Sequence, residues 1–463
     1  MAFAQQATER FDDMRQMVLD HVWVPLRPWN ALAGPDGFNI FVEGKGCRLT
    51  DINGKTYIDY YSGVGNVVNL GYGRKEIIDA AYEQMTKLAF RPAHELTIPQ
   101  IKLAKKLADI SPGTLSKVFY ANSGTEAIET AIKMARKYHQ LMGFHNRFKI
   151  IVGGYRYHGS TYGSMSLGGR RPYLNWEDYE TLLPGVVHVP SPYCFRCDLG
   201  LKYPDCDLRC AKEIERVIQL EGPETVAAFF DMPIATEYST APPSEYWPMV
   251  RSICNKYGVL LIFDEVMIAF GRTGKMFACE HWGVVPDIMT VAKSLANGYI
   301  PIGATIVTKE VARKFEGGPK EVLSHSYTFE GHPVACAAAL ATVGIIEKEK
   351  VVENSKTMGK YLFDSLQSLR RHKTAGEIRG GLGLDCCIEF VKNKETGEEF
   401  GPEENTKFVA ILKQQLRKAG LWGPVHSVIR IRPPLIITKD EIDEIVSGLD
   451  LAIGEAEKGL VTA

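Results

Sequence analysis

Two short apolar runs in this chain each end in residues able to do chemistry. Val259-Leu260-Leu261-Ile262-Phe263 ends in Asp264 and Glu265, and Ile288-Met289-Thr290-Val291-Ala292 ends in Lys293. Such a run reads as a buried strand with polar groups at its carboxyl end. A lysine or an aspartate there is costly unless it is paired or used in a reaction. A lysine amine can form a Schiff base with an aldehyde cofactor, and an aspartate can hold a pyridine nitrogen protonated. Each residue could belong to a structural ion pair, but both at one sheet edge favour function.

Other elements must carry these two residues to one edge. From Arg74 the pattern alternates helix and strand, with strands expected at 117–120, 149–152, 226–230, 259–263, 288–291 and 304–307. Alternation of this kind implies an α/β fold whose mainly parallel sheet is covered on both faces. Ligands of such sheets sit beyond the carboxyl ends of the strands. Ahead of the alternating region, residues 7–22 fit an amphipathic helix, and Trp23, Pro25, Pro28 and Trp29 then break the pattern. Residues 38–49 and 56–59 read as short strands, followed by a glycine-containing loop at Ser62-Gly63-Val64-Gly65-Asn66. Past Pro333 a long Ala-rich helix begins, and the remainder reads helix, strand, strand, helix, strand, helix. The N-terminal piece is too short to fold alone. Residues 1–75 and 333–463 are therefore expected to share a smaller α+β domain beside a large domain at 76–332.

Bulk properties narrow the partners. The chain has 463 residues, 45% of them hydrophobic and 24% charged, as in a globular protein of two or three domains. A formal net charge of −1 without long basic runs argues against nucleic acid or an anionic membrane. No apolar stretch approaches the ~18 residues of a spanning helix. The first residues lack the layout of a signal peptide, so the cytoplasm is the default, and most of the ten cysteines should be reduced thiols.

Ser123-Gly124-Thr125 falls between a strand and a helix, where free N–H groups and the helix dipole favour an anion and the glycine allows close approach. Taken alone, the motif reads better as a plain cap, with Thr125 an ordinary N-cap. Gly154-Tyr155-Arg156-Tyr157-His158-Gly159 follows the next strand. An aromatic there can stack on a flat ring, although for either tyrosine alone core packing is the better reading, and a single histidine is usually just hydrogen-bonded.

Taken together, these stretches resemble the class III, or omega-amino-acid, pyridoxal-phosphate aminotransferases. The resemblance is carried by IFDEVMIAFGRTG (262–274) with Pro286-Asp287 and Ala292-Lys293-Ser294. It extends to ANSGTE (121–126), Tyr157-His158-Gly159, SYTFEGHPVACAAA (326–339) and IRIRPPL (429–435). It implies the fold of type I pyridoxal-phosphate enzymes, with a mainly parallel seven-stranded sheet flanked by helices. It also implies pyridoxal 5′-phosphate as cofactor, held by Lys293, with Asp264 on the pyridinium nitrogen. Val266 and Tyr157 would take the two ring faces, and Ser123, Gly124 and Thr125 the phosphate. Thr328 matches the residue that reaches the phosphate of a neighbouring subunit, which implies a homodimer or a dimer of dimers. Arg430 matches the arginine that grips a substrate carboxylate.

Two departures from the family pattern bear on substrate. Met232 stands where a glutamate that can pair with the substrate arginine is often found, and Asp231 lies one place too early to replace it. Met267 stands where enzymes acting on 4-aminobutyrate often carry glutamine. The first leaves Arg430 free for carboxylate without the usual switching partner, and the second favours transfer from an omega-amine, β-alanine or taurine to a keto acid, most simply pyruvate. An amino-acid racemase, epimerase or aminomutase on the same scaffold would share all these motifs. The spacing of Cys194, Cys197, Cys206 and Cys210 admits a zinc site as well as structural thiols. A zinc-stabilised interaction protein would leave Asp264 and Lys293 unexplained, and no metal is expected in the site.

Overall fold

The strand that delivers Asp264 lies in the middle of a seven-stranded sheet. The computed structural model describes residues 11–34, 37–154, 156–168, 179 and 182–461. After the helices Phe11–His21 and Trp29–Ala33 come β1 (Phe41–Lys45), β2 (Arg48–Asp51) and β3 (Thr56–Asp59). The central sheet uses β4 (Leu115–Ala121), β5 (Lys149–Gly153), β6 (Val186–Val189), β7 (Val226–Asp231), β8 (Leu260–Asp264), β9 (Ile288–Val291) and β10 (Gly303–Thr308). Its order is β4-β10-β9-β8-β7-β5-β6. Strands β6, β5, β7, β8 and β9 pair in parallel, and β10 runs antiparallel to both β4 and β9. Six of these strands match the expected positions, while β6 has only four residues and gives no comparable signal in the sequence.

The unbroken apolar run of β8 has a simple cause. Successive side chains point to opposite faces of a sheet, and here both faces are cores. Leu261 and Phe263 join one hydrophobic cluster, whereas Leu260 and Ile262 join another that contains Ile128 and Ile132 of the helix Gly124–Leu141. All four are buried. Full burial of such a side chain stabilises by roughly 1.5–3 kcal/mol. By the same alternation Asp264 falls on the face of Ile262 and Glu265 on the other. Glu265 is completely buried and accepts N–H bonds from Ala278 (2.9 Å) and Cys279 (2.8 Å).

The rest of the chain builds two smaller sheets. Strands β11 (Ala375–Gly381), β12 (Gly383–Phe390) and β14 (Val428–Ile431) form an antiparallel sheet, and the short β13 (Leu421–Trp422) pairs in parallel with β3. The N-terminal strands therefore complete a sheet with a strand from near the other end of the chain. Arg272, fully buried, fixes this junction. Its guanidinium donates to Leu384 O (2.9 Å), Pro433 O (2.7 Å), Ser62 Oγ (3.1 Å) and Asn69 Oδ1 (2.6 Å).

One local expectation needs correction. Residues 38–49 are not one strand. They turn back at Gly46, whose φ of +55° suits glycine, and Lys45 pairs with Arg48 across the turn. The N-terminal helix is seen over Phe11–His21, and residues 7–10 lie outside the described residues. Among the described residues no helix is long and apolar enough to cross a membrane.

Candidate active site

The register of β8 and β9 sets the first distance that matters. Asp264 pairs with Thr290, so the chain runs only three residues further before reaching Lys293. At Lys293 the backbone is left-handed, with φ +47°, an uncommon conformation for a lysine that turns the chain at the strand end. Both residues line one cavity of about 410 Å³, together with Ser123, Gly124, Thr125, Tyr157 and Val266. Seven of the nine residues singled out in the sequence thus meet in one place.

Lys293 is half-buried on the cavity wall, and its burial pushes its pKa below that of an ordinary lysine, although the charges of Asp264 and Glu237 oppose the shift. Its amine makes no hydrogen bond or ion pair among the described residues. Asp264 is 2% exposed and held at both oxygens. Oδ2 accepts from His158 Nδ1 at 2.7 Å, and Oδ1 accepts from Val266 N at 2.9 Å and lies 3.5 Å from Thr290 Oγ1. His158 is itself buried, its ring packs edge-on to Phe230 at 4.9 Å, and its Nε2 has no hydrogen-bond partner among the described residues. This histidine holds the carboxylate in place. The sequence offered Tyr157-His158-Gly159 as a motif, but Asp264 is 106 residues away and nothing local names it as the partner.

The floor of the cavity is made at the start of the helix Gly124–Leu141. Ser123 is its N-cap, with the hydroxyl accepting from Glu126 N at 3.3 Å, so the cap reading of Thr125 is corrected. Thr125 Oγ1 instead meets Ser164 Oγ (2.6 Å) and Thr161 Oγ1 (3.1 Å), and accepts from Ser160 N (3.3 Å). Gly124 is required by contact, since a Cβ there would stand 2.7 Å from Val266 Cγ1. Of the two tyrosines in the next loop, Tyr157 lines the cavity and hydrogen-bonds Ser160 Oγ at 2.9 Å, whereas Tyr155 lies outside the described residues. The loop Ser62–Asn66 is tied to the site, with Asn66 Nδ2 donating to Met267 O at 2.7 Å.

Thr328 and Arg430 do not line this cavity. Thr328 is exposed. Arg430 lines a second cavity of about 410 Å³ together with Glu237. Its guanidinium lies 5.4 Å from the Tyr61 ring centre, and its Nε is buried without a hydrogen-bond partner. No side-chain hydrogen bond or ion pair holds Arg430 among the described residues, in contrast to Arg432, which bonds Asp385 (2.7 Å), Ser239 (3.0 Å) and the Thr236 carbonyl. The wall between the two cavities is thin. Thr236 Oγ1 lies 3.5 Å from Glu237 Oε1 and 3.4 Å from the sulfur of Met267, which lines the first cavity. Met232 is buried beside Thr236, and Asp231 is occupied by Arg156 (2.5 and 3.4 Å) and by Met232 N (2.7 Å).

The four clustered cysteines line a void of about 20 Å³ as free thiols. Among the described residues no group of three or more His, Cys, Asp or Glu is placed to hold a metal ion. The same insert docks on β12, where Glu389 accepts from Arg196 Nε (2.5 Å) and from the Tyr193 hydroxyl.

Compared with known proteins, residues 34–453 match the sequence model of the family described as Aminotransferase class-III. The chain belongs to the class III aminotransferases. It is 36% identical over 459 residues to the taurine–pyruvate aminotransferase of Bilophila wadsworthia, covering 97% of this chain and 99% of that one. It is 35% identical to the putrescine–pyruvate aminotransferase of Pseudomonas aeruginosa, covering 92% of this chain and 93% of that one. An (S)-enantioselective omega-transaminase from Thermomicrobium roseum has the same fold, with a TM-score of 0.92 at 36% identity over 97% of this chain and 99% of that one.

Class III aminotransferases depend on pyridoxal 5′-phosphate, and the residues of this aminotransferase suit that group. A half-buried amine has no hydrogen bond or ion pair among the described residues, a carboxylate faces the same space, and a helix N-terminus with adjacent hydroxyls offers donors to a phosphate. Gly124 leaves that floor without a side chain.

Proposed function

We propose that this aminotransferase moves the amino group of an omega-amino acid or amine, such as taurine or β-alanine, to a keto acid, and that pyruvate is the acceptor. One observation carries the substrate reading: Arg430 presents its guanidinium fork in a cavity, held by no hydrogen bond or ion pair among the described residues, while the position that could hold a competing glutamate is Met232. A free planar fork suits a carboxylate or a sulfonate. The likeness to a taurine–pyruvate enzyme supports the same reading.

Bound pyridoxal phosphate would supply an aldehyde and an electron-withdrawing ring. Lys293 would hold it covalently through Nζ. Asp264, fixed by His158, would keep the ring nitrogen protonated, because a buried carboxylate favours a positive charge beside it. Val266 and Tyr157 would confine the two ring faces. The backbone at Gly124, with Ser123 and Thr125, would bind the phosphate, and Thr328 would reach the phosphate of a second subunit in a homodimer or a dimer of dimers. Released Lys293 would take the proton from the amine-bearing carbon of the donor and later return a proton to the keto acid carbon. Its lowered pKa suits a base that must be neutral when it acts. Residues 1–75 and 333–463 would act as one small domain against the large one at 76–332, in the cytoplasm.

The test is a panel of donors (taurine, β-alanine, 4-aminobutyrate, an aromatic amine, lysine) against pyruvate and 2-oxoglutarate, with Lys293→Ala as control. Alanine should appear from pyruvate with taurine or β-alanine. The variant should lose the visible absorbance of the bound cofactor and nearly all turnover. Turnover retained by the variant overturns the role of Lys293, and strict preference for 2-oxoglutarate overturns the acceptor.

A further inference from the structure

A third cavity, of about 880 Å³, adjoins the one that holds Arg430, and the two share Ala410, Lys413 and His426 as lining. Five basic side chains line it: Arg27, Lys55, Lys413, Arg417 and Lys418. No Asp or Glu does so among the described residues.

Four of these side chains, all but Lys413, have no carboxylate partner among the described residues, and Asp51 lies behind Asn39 and Tyr57 of the lining. Lys55 donates to the backbone carbonyl of Arg417 (2.6 Å), and Arg417 donates to the carbonyls of Leu421 (2.6 Å) and Gly423 (2.7 Å) while lying 3.6 Å over the Trp422 ring. Carbonyls satisfy the donors without cancelling the charge. Arg27, Lys55, Arg417 and Lys418 make no ion pair among the described residues. Cations at the end of the helix Pro402–Lys418 offset its dipole, which accounts for Arg417 and Lys418 alone. Arg27 comes from the N-terminal segment and Lys55 from the turn before β3, so three separate parts of the chain converge on one cationic space.

We propose that this cavity is a vestibule that concentrates small anions, above all the keto-acid substrate of the reaction, and passes them to Arg430. The inference rests on the amino-transfer reading above and adds the route and the class of substrate it favours. A concave space lined by one sign of charge raises the local concentration of the opposite ion, and the gain falls with ionic strength. The path then runs from the vestibule to Arg430, and across the Thr236–Met267 wall to Lys293.

The test uses the loaded enzyme and two double variants, Arg27→Glu with Lys418→Glu, and Arg27→Gln with Lys418→Gln. Both positions are exposed. In a reaction with two separate half-reactions, kcat/KM for each substrate is read independently. For pyruvate, a net anion, it should fall roughly tenfold in the Glu pair and less in the Gln pair, within the usual range of electrostatic steering, whereas for zwitterionic taurine it should change less. The salt dependence should flatten, kcat should hold, and kcat/KM for a cationic aromatic amine should stay level or rise. A second readout needs no turnover. Quenching of Trp422 emission by iodide, assigned with Trp422→Phe, should weaken at least twofold in the Glu pair, while quenching by neutral acrylamide stays the same. If anion kcat/KM and salt slope match the parent, or the aromatic amine suffers equally, the vestibule is overturned. If the parent transfers no amino group at all, the functional reading falls, and the iodide result alone decides the vestibule.

Discussion

Gly124→Ala offers a sharp test of how the cofactor floor is built. The added Cβ would lie 2.7 Å from Val266 Cγ1, 3.2 Å from Cγ2 and 3.6 Å from Ala292 Cβ. Carbon atoms in contact sit about 3.5–4.0 Å apart, so Val266 must retreat by roughly 1 Å. Overpacking of this size costs about 1–3 kcal/mol, or roughly 5- to 150-fold in affinity if the displaced valine intrudes on the ring. The backbone at Gly124 is not left-handed, and alanine is a better helix residue than glycine by up to about 1 kcal/mol. The helix gain offsets only part of that crowding, so stability without cofactor should fall by no more than about 2 kcal/mol while cofactor affinity drops. Apoprotein titrated with pyridoxal phosphate gives the affinity, and a thermal melt gives the stability. Val266→Ala should relieve the crowding, so the double variant should bind more tightly than Gly124→Ala alone, with a coupling of at least about 1 kcal/mol. Binding within twofold of the parent, or no rescue by Val266→Ala, refutes the argument.

Further outcomes follow from the same geometry. Asp264→Asn removes a charge-assisted hydrogen bond to His158 worth about 2–3 kcal/mol and should slow turnover by roughly 30- to 150-fold in steady-state assays with the fold intact by circular dichroism. Arg430→Leu should raise KM for pyruvate roughly 10- to 100-fold while leaving kcat/KM for an aromatic amine donor near the parent value, because only the former carries a carboxylate for the fork. Burial disfavours the charged form of Lys293, so the amine loses its proton at a lower pH than ordinary lysine, near 10.5. The rate of cofactor capture by apoprotein, followed by stopped-flow absorbance, should thus be half-maximal below that pH. A midpoint at 10.5 or above would contradict the lowered pKa.

Legibility from sequence tracked the range of the interactions. Asp264 and Lys293 stood out because each ends an apolar run, and the period of a doubly buried strand is continuous hydrophobicity. His158 carried no signal of its own, since its meaning depends on a carboxylate brought near by three-dimensional packing. The direction of β10 was equally silent, because a buried strand reads the same in either orientation. The break at Gly46 hid in an extended stretch where one left-handed residue reverses the chain. Arg430 was visible as a residue type, but its place in a second cavity, separated from Lys293 by Thr236 and Met267, follows only from the packing of β14 against β12.

The pairing of β3 with β13 joins Ile58 to Leu421. A ribosome adding 5–20 residues per second would need about 20–70 s to make the second partner after the first has emerged. For that interval the nascent β1–β3 hairpins present an open edge that only the end of synthesis can close, and loop closure over such a span is slow. Slowing aggregation rather than raising final stability, for instance by expression at low temperature or with added chaperone, is the lever that should govern the yield of soluble protein.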